Sequence, residues 1–147
     1  MKTTSNRWRS ERGTAIVETA LTFPLVLLLS ISVFEFGRAF QHWQILTNAA
    51  REGARVAVLP GTTDNAVRSR VETYLEAGRL GDADSASVAV ARNDEIAIGA
   101  GTASASTVTI SYPYEFLVMQ PLVQLISTSS TAGEAITMTA SATMRNE

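Results

Sequence analysis

Glu18 is the side chain whose placement asks most of its surroundings. It is the only ionisable group in TAIVETALTFPLVLLLSISVF, residues 14–34. These 21 residues, at about 1.5 Å each, are long enough to cross a hydrocarbon core ~30 Å thick. A charged acid at the centre of such a segment costs about 2.5–3.5 kcal/mol on the most lenient insertion scales, and less near the boundary where Glu18 lies. The helix macrodipole favours a carboxylate in the first turns by only about 0.3–1 kcal/mol in exposed settings, so burial is left uncompensated. A cation would offset it. An amino terminus created at Thr14 by a cut after Gly13 would supply one, on the same chain or on a neighbour.

No other group promises chemistry of its own. His42 is the single histidine, so a metal site or a general base would lack its partners, and its neighbours Phe34, Phe36, Phe40 and Trp43 read instead as an amphipathic cluster at the outer membrane interface. Asp82 and Asp84 faintly suggest cation binding. The glycine and terminal glutamate of a calcium loop are missing at the required offsets, so a solvated loop is expected. Serine and threonine are plentiful, but none has a placed base. No catalytic residue, cofactor, metal or small-molecule substrate is therefore expected, and the absence of cysteine excludes disulfides and thiolate sites.

The elements that must position Glu18 follow from the pattern. Only Pro24 interrupts the helical reading from residue 14 to residue 59, after which Pro60-Gly61 is a strong stop. Pro24 cannot donate to the carbonyl of Ala20, so a bend or a loosened turn is expected there. Residues 62–64 offer caps for a second helix ending near Ala77, with Val67, Val71, Tyr74 and Leu75 on one face. Residues 78–87 read as loop. Period-two alternation then appears at 88–91, at Ile96 and Ile98, and at 107–112 and 136–144, with Asn93-Asp94 expected as the turn of a hairpin between the first two and residues 100–106 and 127–133 as linkers around a dense apolar segment at 114–126. The expected fold is α+β: a long N-terminal helix packed on a small, mostly antiparallel sheet of three or four strands, with a second helix. Ala49, Gly53 and Ala57 form a small-residue stripe on the long helix, expected to receive the sheet of the same chain rather than another helix, with Arg51 and Arg55 beside it pairing with acids.

Charge sets the orientation. Lys2, Arg7, Arg9 and Arg12 precede the apolar run against Glu11 alone, which places the N-terminus in the cytoplasm and exports residues 60–147. A chain beginning at Thr14 keeps 8 of 12 basic and 13 of 14 acidic residues, a formal balance of -5. Such a surface does not suggest a nucleic-acid partner. A secretory signal peptide would show a shorter apolar core and an A-x-A-like site, so a retained transmembrane helix is expected.

Gly13 followed by Glu18 within a long apolar helix resembles the type IV prepilin signal. Arg12-Gly13-Thr14-Ala15-Ile16-Val17-Glu18-Thr19-Ala20-Leu21 with Pro24, Glu35-Phe36-Gly37-Arg38, and Leu46-Thr47-Asn48-Ala49-Ala50-Arg51-Glu52-Gly53-Ala54-Arg55 resemble the TadE-like family of pseudopilins from tight-adherence (Flp) pilus systems. Residues 108–114 and 144–147 look like that family's later strands and tail, while 61–105 match nothing specific. Thr19 stands where major Flp pilins usually carry tyrosine, and the exported domain is larger than theirs, which points away from the bulk filament subunit.

The resemblance implies a minor pilin or pseudopilin: leader 1–13, helix 14–59 with its transmembrane part at about 14–34, and an exported domain at 60–147. It implies cleavage between Gly13 and Thr14 by a prepilin peptidase, Glu18 setting subunit register, and other pilins, pseudopilins and the lipid bilayer as partners. The expected location is the bacterial inner membrane, with incorporation in a surface pilus as an extension. An unprocessed signal-anchored envelope binding module is the alternative from another class, and an envelope enzyme a weaker third.

Overall fold

The computed structural model describes residues 7–81, 83–99, 101–121 and 133–146. Helix α1 (Arg7–Ala57) dominates it, 51 residues long, or roughly 75 Å at the α-helical rise. It runs through Pro24 without a break in its helical assignment. In the apolar part, hydroxyls turn back onto their own helix: Thr19 donates to Ala15 O at 2.8 Å, Ser30 to Val26 O at 2.8 Å and Ser32 to Leu28 O at 2.9 Å. These polar groups are thereby satisfied within the segment itself. The far end stops for backbone reasons. The Leu59 N–H turns to Val56 O, Pro60 has no N–H to offer, and Gly61 takes a positive φ of 77°.

Helix α2 (Asp64–Ala77) is capped by Thr63, whose hydroxyl accepts from the Ala66 N–H at 3.3 Å. Its apolar face, Val67, Val71 and Leu75, is fully buried. At its end Gly78 is needed for space: a Cβ there would lie 2.7 Å from Ile45 Cγ2 of α1. Residues 83–85, expected as loop, form a single 3-10 turn.

Three strands follow, β1 (Ser87–Ile98), β2 (Gly101–Tyr114) and β3 (Ile136–Arg145), in an antiparallel meander of order β1-β2-β3. The inward face of β2 presents Val108, Ile110, Tyr112 and Tyr114, and β3 adds Ala140; together with α2 they bury Leu46, Ala49, Ala50, Ala54 and Ala57 of α1. The outward face is hydroxylic, with Thr107 bonded to Thr143 and Thr109 to Ser141.

Two expectations are corrected. Asn93-Asp94 is not a turn but a bulge, with Asn93 at φ 62° between the paired residues Arg92 and Asp94. Asparagine tolerates this conformation, and one extra residue lets β1 continue rather than reverse. The reversal comes six residues later at Gly99, φ 60°, where Ile98 pairs with Gly101. Consequently residues 101–106 are not a linker but the first half of β2. Small side chains with weak strand preference are held there by pairing with residues 92–98, tertiary context overriding propensity. The segment 122–132, and with it most of the expected linker at 127–133 and part of the apolar segment at 114–126, lies outside the described residues.

Candidate functional site

The residues singled out in the sequence occupy two environments on one helix. Gly13, Thr14 and Glu18 lie on its exposed, apolar part. Nothing comes within 4 Å of a Cβ built on Gly13, and among the described residues no cation meets the Glu18 carboxylate. Ile16, Val17, Leu21, Phe23, Leu25 and Leu29 are all more than half exposed. Among the described residues this is the one helix long and apolar enough to cross a membrane.

Ala49, Gly53 and Ala57 lie where the same helix is covered by its own chain. A Cβ on Gly53 would lie 2.7 Å from Val71 Cγ2 and 3.2 Å from Val108 Cγ1, so helix α2 and strand β2 both close on this position. Arginines stitch the packing, though not the expected ones. Arg70 grips Glu52 Oε1 at 2.7 and 3.1 Å, while neither Arg51 nor Arg55 makes an ion pair among the described residues. Arg92, beside the bulge, binds Asp64 Oδ1 at 2.7 Å and donates to the Ala57 carbonyl at 2.8 Å. It thus places a cation on the negative end of α1 and joins three elements.

The cluster that sequence reasoning missed is centred on Glu35. Its side chain is completely buried. Oε1 accepts the Val118 N–H at 2.7 Å, Oε2 receives Arg38 at 3.4 Å, and the Glu35 carbonyl accepts the Tyr114 hydroxyl at 3.3 Å. Arg38 in turn lies 5.7 Å from the centre of the Tyr114 ring. A carboxylate is here removed from water and repaid by a charge-assisted backbone bond. One indication was available: Glu35, His42, Leu46, Ala49 and Gly53 share a helical face, so an acid stood on the stripe destined for burial.

His42 also faces inward, correcting its expected place in the interfacial cluster. Its ring meets Tyr114 edge-on at 5.2 Å and Tyr112 at 6.0 Å, whereas Trp43, about 100° further round the helix, is exposed with Phe40 at 6.2 Å. Burial first, and the Arg38 charge second, lower the pKa of His42 below the ordinary 6.5. Burial likewise raises the Tyr114 hydroxyl. Beside these rings lies an open groove of ≈ 530 Å³ bordered by Arg38, His42, Tyr112, Tyr114 and Phe116. Among the described residues the buried Nδ1 of His42 has no hydrogen-bond partner. Asp84 is described and exposed, Asp82 lies outside the described residues, and no group of three potential metal ligands occurs among the described residues.

Comparison with known proteins places one stretch of the chain. Residues 13–55 match the family described as TadE-like protein. That stretch starts at Gly13 and ends at Arg55, so the likeness read at 108–114 and 144–147 falls outside it. No curated protein and no solved structure matches the chain.

Proposed function

Taking as premise that residues 13–55 are TadE-like, we propose that this chain is a membrane-anchored minor pilin or pseudopilin of a tight-adherence pilus system. The observation that carries the proposal is the asymmetry of α1. Its first part offers an uncovered apolar surface, and its second part is used up in folding the domain. Such a helix suits lateral packing, first in lipid and then among other pilin helices, while the domain remains outside.

In this reading the N-terminus is cytoplasmic, residues 60–147 are exported, and a prepilin peptidase cuts between Gly13 and Thr14. The bond lies about two turns into α1, and the terminal turns of a helix open at little cost, so the enzyme can draw the backbone into an extended form. Gly13 has no side chain to obstruct that approach. Cleavage leaves an ammonium at Thr14, and Glu18, one turn away, is the acceptor for it or for that of a neighbouring subunit. The protein is then a substrate and a structural partner, with no catalysis of its own.

The test is direct. Expressed with an active prepilin peptidase, the protein should begin at Thr14 by mass spectrometry, and Gly13→Leu should retain the leader. A mature chain that still begins at Met1 would overturn the proposal.

A further inference from the structure

Glu35 is the first residue after the apolar run 14–34, and its contacts hold a particular part of the domain at that height. Its carboxylate fixes the backbone of Val118, and its carbonyl fixes Tyr114 at the end of β2. Tyr114 pairs with Ile136, the first residue of β3. The two chain segments are clamped together at Gly133, φ 83°, where a Cβ would come within 2.9 Å of the Gln120 backbone. One end of the sheet is therefore pinned one residue beyond the membrane-crossing run. That end carries large apolar side chains in the open: Leu117 is 64% and Ile136 45% exposed. On α1, Phe36, Phe40 and Trp43 are exposed over the next two turns.

We propose that this end of the domain, through Leu117 and Ile136, rests on the outer lipid interface, and that Glu35 is the positioning residue that sets its height. The inference depends on residues 14–34 spanning the bilayer. Given that span, continuity decides the occupant: Leu117 and Ile136 are tied to the helix at the level where hydrocarbon gives way to headgroups, a level at which exposed aromatic side chains are stable. Glu115 and Glu134 are exposed at the same end, so the contact is apolar rather than ionic, and a zwitterionic surface is its fitting probe. Seating the domain this way limits its swing about the helix before the subunit leaves the membrane.

The chain has no cysteine, so single thiols can be introduced without background. Leu29→Cys, Leu117→Cys, Ile136→Cys and Glu95→Cys, each carrying a polarity-sensitive fluorophore, are reconstituted as full-length protein in phosphatidylcholine vesicles with doxyl-labelled lipids. The label at 29 should be quenched by deep doxyl groups. Labels at 117 and 136 should be blue-shifted and quenched about twofold or more by shallow ones, as expected of interfacial side chains, and the label at 95 should respond to neither. Adding Glu35→Ala should abolish the shallow quenching at 117 while leaving 29 unchanged, and Glu35→Gln, which keeps an acceptor for Val118, should restore it. Quenching at 29 with free access of iodide to 117 and 136 overturns the seat but not the span. Protection of 117 from iodide without lipid quenching overturns it in favour of burial against a second copy of the chain. Loss of quenching at 29 removes the span and the seat together.

Discussion

The two halves of α1 are built from one helical geometry and opposite side-chain sizes. Between residues 14 and 34 the apolar residues are mostly large and exposed; between 46 and 57 they are mostly alanine and glycine, and buried. The first half, on the proposed membrane reading, offers apolar area to a liquid-like surrounding and needs no shape. The second must let α2 and β2 approach its backbone, and any added volume collides. Hydrophobicity alone would misplace the core, since the most apolar part of the chain contributes almost nothing to it.

The sharpest attempt to break the contrast is Glu18→Ala, which acts in the first half only. The variant should insert and be cut, because the segment becomes more apolar, yet pilus assembly should be lost, while domain melting stays at the parental temperature. Wild-type numbers of pili by electron microscopy would reduce Glu18 to a residue favoured by the helix dipole.

Gly53→Leu is the counterpart in the second half. With Val71 Cγ2 already 2.7 Å from a bare Cβ, the larger side chain should destabilise the domain by about 1–3 kcal/mol. Thermal denaturation of the full chain in detergent reads this, with Leu29→Ala as the parallel change in the exposed half, expected to leave the melt unaltered. Equal melting of Gly53→Leu and the parent would mean that α2 and β2 do not close on α1 as described.

A smaller effect is expected where the helix ends. Arg92→Met removes the cation from the Ala57 carbonyl and from Asp64, and should cost about 1 kcal/mol, the range for a helix-terminal charge and a partly exposed ion pair. Chemical denaturation at low and high salt checks it: the parent should lose part of the difference as salt rises, and Arg92→Met should not.

The smallest is a pH dependence. Because the folded protein lowers the His42 pKa below 6.5 through burial and then Arg38, the unfolded chain takes up the proton first as pH falls. Stability is therefore full above pH 6.5 and declines below it, until the folded-state pKa is passed. His42→Phe should flatten the melting temperature between pH 7.5 and 5.5. A parent whose melting temperature does not change over that range would place His42 in water rather than against Tyr114.

The helices and the inward faces of the strands were legible because each depends on a local period. Val67, Val71 and Leu75 repeat with a helical turn, and Val108, Ile110 and Tyr112 with a strand pleat. Asn93-Asp94 misled for a local reason: the same left-handed residue serves a turn or a bulge, and only the pairing partner across the ladder chooses between them. Residues 101–106 became strand because a neighbour was present to hold them.

By itself, then, the order of residues determined that one helix would be long, that its first part would be apolar enough for a bilayer, that Gly13 and Glu18 would stand near its start, and that an α+β domain would follow. These depend on composition and short-range periodicity, which a linear chain carries in full. Only the tertiary structure decided that Glu35, His42 and Arg38 would meet Tyr114 and Val118, and that Arg70 and Arg92 rather than Arg51 and Arg55 would bind the acids. Each joins residues from 18 to 83 positions apart. Such meetings depend on where a strand lands on a helix, and no period within either segment encodes that.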